Sequence, residues 1–228
     1  MRTRRIIVST DTLAIGRFAM IRRTLLAACL ALPLAAPVGA EDAPRTIPNA
    51  QSPQRLVTQL RDGGLVIYVR HAPTERDTAD QVSAVMGDCS TQRMLSEAGW
   101  AQARQLGAHM RRLQIPVGTV ISSEYCRAWQ TADLAFGRYR KNAALNFEKA
   151  AEYTEEQTAA MRSRLQPLLS QRPAPGKNTV IVGHDDPFEA ATGIYPDPMG
   201  VAWVLRPDGN DRFALLGQIT PDQWAAVR

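Results

Sequence analysis

The chain has 228 residues, enough for one domain or slightly more. Its 45% hydrophobic and 21% charged residues exclude a wholly disordered chain, and 15 prolines and 15 glycines are too few for a fibrous or low-complexity one. The net charge of +5 gives no case for nucleic acid as a partner. Of 27 basic residues six lie within residues 1–40, and of 22 acidic residues one does, which leaves 21 of each in the rest of the chain.

Residues 20–40 read MIRRTLLAACLALPLAAPVGA. Arg22 and Arg23 precede an apolar run from Leu25 to Val38, broken by Pro33 and Pro37 and closed by Val38-Gly39-Ala40. This pattern predicts a signal peptide region over 1–40, cleaved after Ala40, with Met20 as an alternative start. The run is too short and too proline-broken to span a bilayer comfortably, so no stable membrane span is expected after cleavage. Cys29 sits in a loose lipoprotein box, but the apolar run continues past it. The expected location is periplasmic or secreted. Cleavage leaves Cys89 and Cys126, a candidate disulfide in an oxidising compartment, with two buried free thiols as the other reading.

Residues 41–52, rich in Pro, Asn and Gln, read as a disordered lead-in to a domain over 53–228. A helix is predicted from Pro53 to Arg61, then a strand over Leu65–Val69 apolar enough to be buried on both faces. Residues 72–94 form a long polar loop. Ser96 caps a helix to about Leu113, with Trp100, Ala103, Leu106, Met110 and Leu113 as its buried stripe. A strand over Val117–Ile121 leads to a helix capped by Ser122 or Ser123 and carrying Ala128, Ala132, Ala135 and Phe136. A short strand over Ala144–Phe147, a helix over Thr154–Gln171 kinked at Pro167, and a strand over Thr179–Val182 follow. Val201–Leu205 and Phe213–Ile219 read as a closing hairpin. Alternating strands and helices predict an α/β fold with a mainly parallel central sheet.

Two of the three histidines share a context. Leu65–Val69 runs into Arg70-His71, and Thr179–Val182 runs into Gly183-His184. Both therefore stand at the carboxyl ends of buried strands, the edge where open α/β sheets bind ligands. A third segment, Ser122-Ser123-Glu124-Tyr125-Cys126-Arg127, also follows a strand and opens a helix. There the free N–H groups, the helix dipole and an arginine fork together suit a phosphate.

Arg70-His71-Ala72-Pro73-Thr74 resembles the Arg-His-Gly signature of the histidine phosphatase superfamily, in its phosphoglycerate mutase-like branch. Ser122-Ser123…Arg127-Ala128…Thr131-Ala132 resembles that branch's second arginine motif, and Gly183-His184 its second histidine motif. Leu95-Ser96-Glu97-Ala98-Gly99…Gln102-Ala103 is similar to the helix start between them, so the likeness spans about residues 53–220. The resemblance implies a three-layer α/β/α sandwich, phosphoglycerate mutase-like, and a phosphatase. His71 would attack phosphorus and form a phosphohistidine, and Arg70 and Arg127 would hold the equatorial oxygens. His184 would complete the pocket as a proton-bearing donor. Neighbouring arginines would keep His71 neutral. No metal and no cofactor is expected, since the cationic side chains take that electrostatic role.

The branch's general acid is commonly a glutamate after the strand that follows the second motif, which points to Glu148, with Glu152 as runner-up. Asp185, next to His184, matches the acid of the superfamily's other branch. Thr74, Arg93 and Asp185 are candidate substrate-binding residues, with Arg93 reaching a substrate anion. A Cys89–Cys126 bridge would tie the loop over 72–94 to Arg127 and pre-organise the pocket. The sequence departs from the signature at Ala72, whose methyl group would crowd a phosphate. The expected function is an exported, metal-independent hydrolase of phosphomonoesters on small molecules or cell-envelope glycans. The other reading is a catalytically silent phospho-ligand binding module of the same fold.

Overall fold

The computed structural model describes residues 47–76 and 79–228. The signal peptide region, with Cys29 and the cleavage point after Ala40, lies outside the described residues. Within the segment read as a disordered lead-in, residues 47–52 lie against the body. Ile47 packs on the core and the Gln51 N–H donates to the Leu216 carbonyl at 2.8 Å.

The elements in chain order are α1 (Pro53–Asp62), β1 (Val66–Arg70), α2 (Glu97–Arg112), β2 (Val117–Ser122), α3 (Cys126–Phe136), β3 (Arg140–Lys141), α4 (Glu155–Ser170), β4 (Asn178–Gly183), α5 (Asp185–Thr192), β5 (Ala202–Pro207), β6 (Phe213–Ile219) and α6 (Pro221–Ala226). The strands form one sheet in the order β3-β2-β4-β1-β5-β6. β3, β2, β4 and β1 run parallel, while β5 and β6 close the sheet as an antiparallel hairpin. The parallel core has β1 at its inner edge with Arg70 opposite Gly183 of β4. That register puts His71 and His184 side by side at the carboxyl edge.

Period-two alternation splits the sheet's side chains between two cores. Ile67, Val69, Val120, Val180, Val182 and Val204 pack under the helices α1, α2, α3 and α6. Val66, Tyr68, Ile121, Ile181, Trp203 and Leu205 pack under α4 and α5. The α/β/α sandwich is thus apolar on both sheet faces, as the continuous apolar runs of β1 and β4 require.

Four local readings are corrected. Trp100 is 44% exposed, because the buried face of α2 runs through Gly99, Ala103, Leu106, Gly107 and Met110. Gly99 lets that helix touch the site loop: a Cβ there would stand 2.0 Å from the Pro73 carbonyl oxygen. Residues 143–145 form a 3-10 turn, and the edge strand falls instead on the exposed Arg140 and Lys141. Helix α3 has Tyr125 at its N-cap without a side-chain bond, and neither serine caps it. α5 and α6 were not anticipated.

Candidate active site

Backbone bonds fix the edge before any side chain acts. The His71 N–H donates to the Gly183 carbonyl (3.0 Å), Ser123 N–H to Val182 (3.0 Å) and Gly200 N–H to His71 (3.0 Å). Gly183 has no room for a side chain, since a Cβ would lie 2.3 Å from the Tyr68 hydroxyl. That hydroxyl donates to the His184 carbonyl at 2.7 Å and holds the turn out of β4.

His71 is fully buried. Its Nδ1 lies 2.9 Å from the Ala72 carbonyl, which can only accept, so the proton sits on Nδ1 and the Nε2 lone pair is left for chemistry. Arg127 Nε donates to that Nε2 at 3.2 Å. Burial, then the charge of Arg127, pushes the His71 pKa down to about 3. The ring is therefore neutral at ordinary pH. Desolvation contributes most, where the sequence pointed to the arginines alone.

His184 lies edge-on to His71 with ring centroids 5.4 Å apart. Its Nε2 is 2.8 Å from Ser123 Oγ. Ser123 donates to Asn146 Oδ1, and Asn146 Nδ2 in turn donates to Glu124, so the serine can only accept from the histidine. His184 is then the Nε2–H tautomer, with a buried Nδ1 lone pair that has no partner among the described residues. Burial and the nearby Arg127 hold its pKa well below the ordinary imidazole value. The resting His184 is neutral; the proton-bearing donor expected from the sequence requires an anion beside it.

Two arginines flank this pair. Arg70 Nη2 donates to Asp185 Oδ2 (2.5 Å) and to the Tyr195 hydroxyl (3.0 Å), and Nη1 to the Pro196 carbonyl (3.0 Å). Asp185 thus holds an arginine. Burial pushes its pKa up, but Arg70 and the Tyr195 hydroxyl bring the net shift below the usual carboxylate value. Arg127 Nη1 pairs with Asp80 at 2.7 Å, with both side chains buried. Burial works against the charge of Arg127, and Asp80 opposes that loss. Phe147 and Tyr125 face the same guanidinium, 5.2 and 5.0 Å from ring centre to Cζ. The first N–H of α3, at Cys126, is not free for an anion: Gln92 Oε1 takes it at 2.8 Å.

The remaining candidates divide. Arg93 is half-buried, and its charge weighs on both Arg127 and His184. Glu148 pairs with Arg164 at 2.6 Å. Glu152 is exposed. The Thr74 hydroxyl faces the Met199 sulfur at 3.8 Å, and no described contact ties it to His71. The Ala72 methyl belongs to a small cluster with Leu95 and Ala103, which removes the expected crowding. Cys89 and Cys126 form a disulfide. Asp80, Ser123, Asn146 and Tyr195 were not singled out from sequence. Ser123 and Asn146 lie in or beside the motifs that were read, whereas Asp80 is one acid of a polar loop and carries no signal of its own.

Fold and site define an α/β protein with two neutral histidines, set between arginines, at the carboxyl edge of its parallel strands. Residues 66–146 match the model of the histidine phosphatase superfamily, branch 1. The matched stretch takes in Arg70, His71, Asp80, Arg93 and Arg127. Among solved structures, the chain is similar to phosphoserine phosphatase from Entamoeba histolytica in complex with phosphoserine. The TM-score is 0.50 at 14% identity, over 70% of this chain and 98% of that one. The same enzyme with 3-phosphoglyceric acid gives 0.50 and 13%, over 68% and 95%. The protein histidine phosphatase SixA complexed with tungstate gives 0.49 and 14%, over 69% and 97%. The two likenesses at 0.50 establish the phosphoglycerate mutase-like fold. The search of curated proteins found no match.

Proposed function

We propose that the chain is an exported phosphomonoester hydrolase that works through a phosphohistidine on His71. The observation that carries this reading is the His71 ring: neutral, with its proton on Nδ1, and with its Nε2 lone pair 3.2 Å from Arg127 Nε. In the resting site that lone pair accepts an N–H. A phosphate oxygen is a charged and therefore stronger acceptor, so it draws the Arg127 N–H away and frees Nε2 to attack phosphorus. Arg70, Arg127 and Arg93 then share the equatorial oxygens, and His184 Nδ1 takes up a proton beside the anion. Water cleaves the phosphoenzyme. No step uses a metal.

The disulfide between Cys89 and Cys126 supports an oxidising location, periplasmic or secreted. A cavity of about 990 Å3 borders Arg70 through Tyr195 and Asp197, and Tyr153, Asp186 and Trp203 also line it. Polar groups among aromatic faces suit a polyol, so the proposed substrate is a phosphate on a small molecule or an envelope glycan. The silent-binder reading loses its steric motive with the Ala72 methyl packed away.

Turnover of p-nitrophenyl phosphate in the presence of EDTA tests the proposal. The expected result is activity that survives chelation and falls at least about 10⁴-fold in His71→Ala. Phosphate-dependent thermal stabilisation without turnover would instead establish a binding module.

A further inference from the structure

We propose that Asp80 is the general acid of this reaction, the group that protonates the leaving oxygen; the assignment rests on the phosphatase reading above. Asp80 Oδ2 stands 2.7 Å from Arg127 Nη1, and Arg127 Nε stands 3.2 Å from His71 Nε2. One guanidinium therefore spans carboxylate and nucleophile, and a phosphoryl group seated on it lies between them. Oδ2 also accepts the Arg93 N–H at 2.9 Å, while Oδ1 has no hydrogen-bond partner among the described residues. That oxygen is left to handle a proton. The side chain as a whole is 2% exposed, so few water molecules reach it.

Asp80 is ion-paired too, but to the one guanidinium that touches His71, whereas the carboxylates named from sequence pair with other arginines or face solvent. Glu148 is bound by Arg164, and Asp185 by Arg70 and Tyr195. Glu152 is exposed. Asp80 is also anchored where an acid must not wander. Its carbonyl accepts the Ala84 N–H at 3.1 Å, and the Cys89–Cys126 bridge ties its loop to the residue before Arg127.

The proton balance closes without another reagent. A phosphomonoester, with its second pKa near 6, brings a proton on a non-bridging oxygen in its monoanion. Asp80 accepts that proton and passes it to the bridging oxygen as the P–O bond breaks. The electron pair leaves with the alcohol, and the Nε2–P bond forms. In the second step water adds to phosphorus and gives a proton to Asp80. The P–N electron pair returns to Nε2, and Asp80 hands its proton to the departing phosphate.

Leaving-group dependence separates this role from mere support of Arg127. Wild type and Asp80→Asn are compared on p-nitrophenyl phosphate, whose phenolate needs little protonation, and on β-glycerophosphate, whose alkoxide needs much. The expected loss is about 10²–10⁴-fold in kcat on the alkyl ester and under about tenfold on the aryl ester. The ratio of the two losses is independent of the fraction folded, so a poorly folding variant still answers. Equal losses on both esters, no loss, or the same split in Glu148→Gln instead overturn the assignment while the phosphatase reading stands. Wild type inert on both esters overturns the phosphatase reading and the Asp80 role together.

Discussion

Two arginine–aspartate pairs flank His71, and they are built in different ways. Arg70 ends β1 and Asp185 opens α5 immediately beyond β4, so the pairing of Arg70 with Gly183 in the sheet brings them together. Tyr195 and Pro196, from the connection between α5 and β5, add further bonds to Arg70. Arg127 sits in the first turn of α3, but Asp80 comes from a stretch with no regular structure, 47 residues earlier. The loop that brings that second pair together is held by the disulfide, by Gln92 on the Cys126 N–H, and by the Arg93 N–H on Asp80. It is also the drier pair, with side chains 3% and 2% exposed against 7% and 18%. Scaffold supplies one half of the anion site and a covering loop supplies the other.

Replacing each arginine by lysine breaks the comparison most sharply. Among the described residues, Arg127 is the one that bonds the Nε2 proposed as nucleophile, and its planar fork reaches His71 and Asp80 at once, which one ammonium cannot do. Arg127→Lys is expected to lower kcat on p-nitrophenyl phosphate by about 10²–10³-fold. Arg70→Lys, at a residue whose Asp185 partner is placed by the sheet register, is expected to cost about tenfold less. Equal losses in steady-state kinetics would show that the two pairs do the same work.

The same division explains what could be read from sequence. β1, β4 and their histidines were legible because a strand buried on both faces is a continuous apolar run, and its end is visible in the residues. Arg127 was legible from its place at a helix start. The loop pair was not, because nothing local distinguishes Asp80 from Glu75 or Asp88 in the same polar stretch; its meaning lies in a partner far along the chain. Misplaced elements have local causes. Leu145 and Phe147 are buried at a 3-10 turn and mimic strand alternation, while the true edge strand is two exposed basic residues paired with Ile121 and Ser122. α6 did carry a signal: Thr220-Pro221-Asp222-Gln223 forms a full capping box.

Removing the disulfide tests how far the loop pair depends on its tether. With both cysteines changed to serine (Cys89→Ser, Cys126→Ser), the 37-residue separation gives a loss of about 3–4 kcal/mol of stability on the chain-entropy model. Denaturant unfolding reads that loss. At a temperature where the variant stays folded, kcat/KM should fall about tenfold or more, because the carboxylate and guanidinium are no longer pre-set. Unchanged kcat/KM would mean that Gln92 and Asp80 hold the loop by themselves.

The smallest effect sharpens the histidine side of the comparison. His71 has a folded-state pKa of about 3 against an ordinary 6.5, and that of His184 is also depressed. Between those values the unfolded chain binds protons that the folded chain refuses. The contribution of His71 is therefore complete above pH 6.5 and is lost as pH falls toward 3, with a slope of at most about 1.4 kcal/mol per pH unit, and His184 acts in the same direction. Asp185 stays ionised over most of this window because Arg70 and Tyr195 outweigh its burial, and Asp186, pushed up by burial and by Asp185, acts in the opposite sense. Denaturant midpoints at pH 7, 6 and 5 should fall more steeply for wild type than for His71→Asn, whose amide cannot titrate. Parallel slopes would show that His71 is solvated in the folded protein, and an imidazole open to water would lose the burial that keeps it neutral beside two arginines.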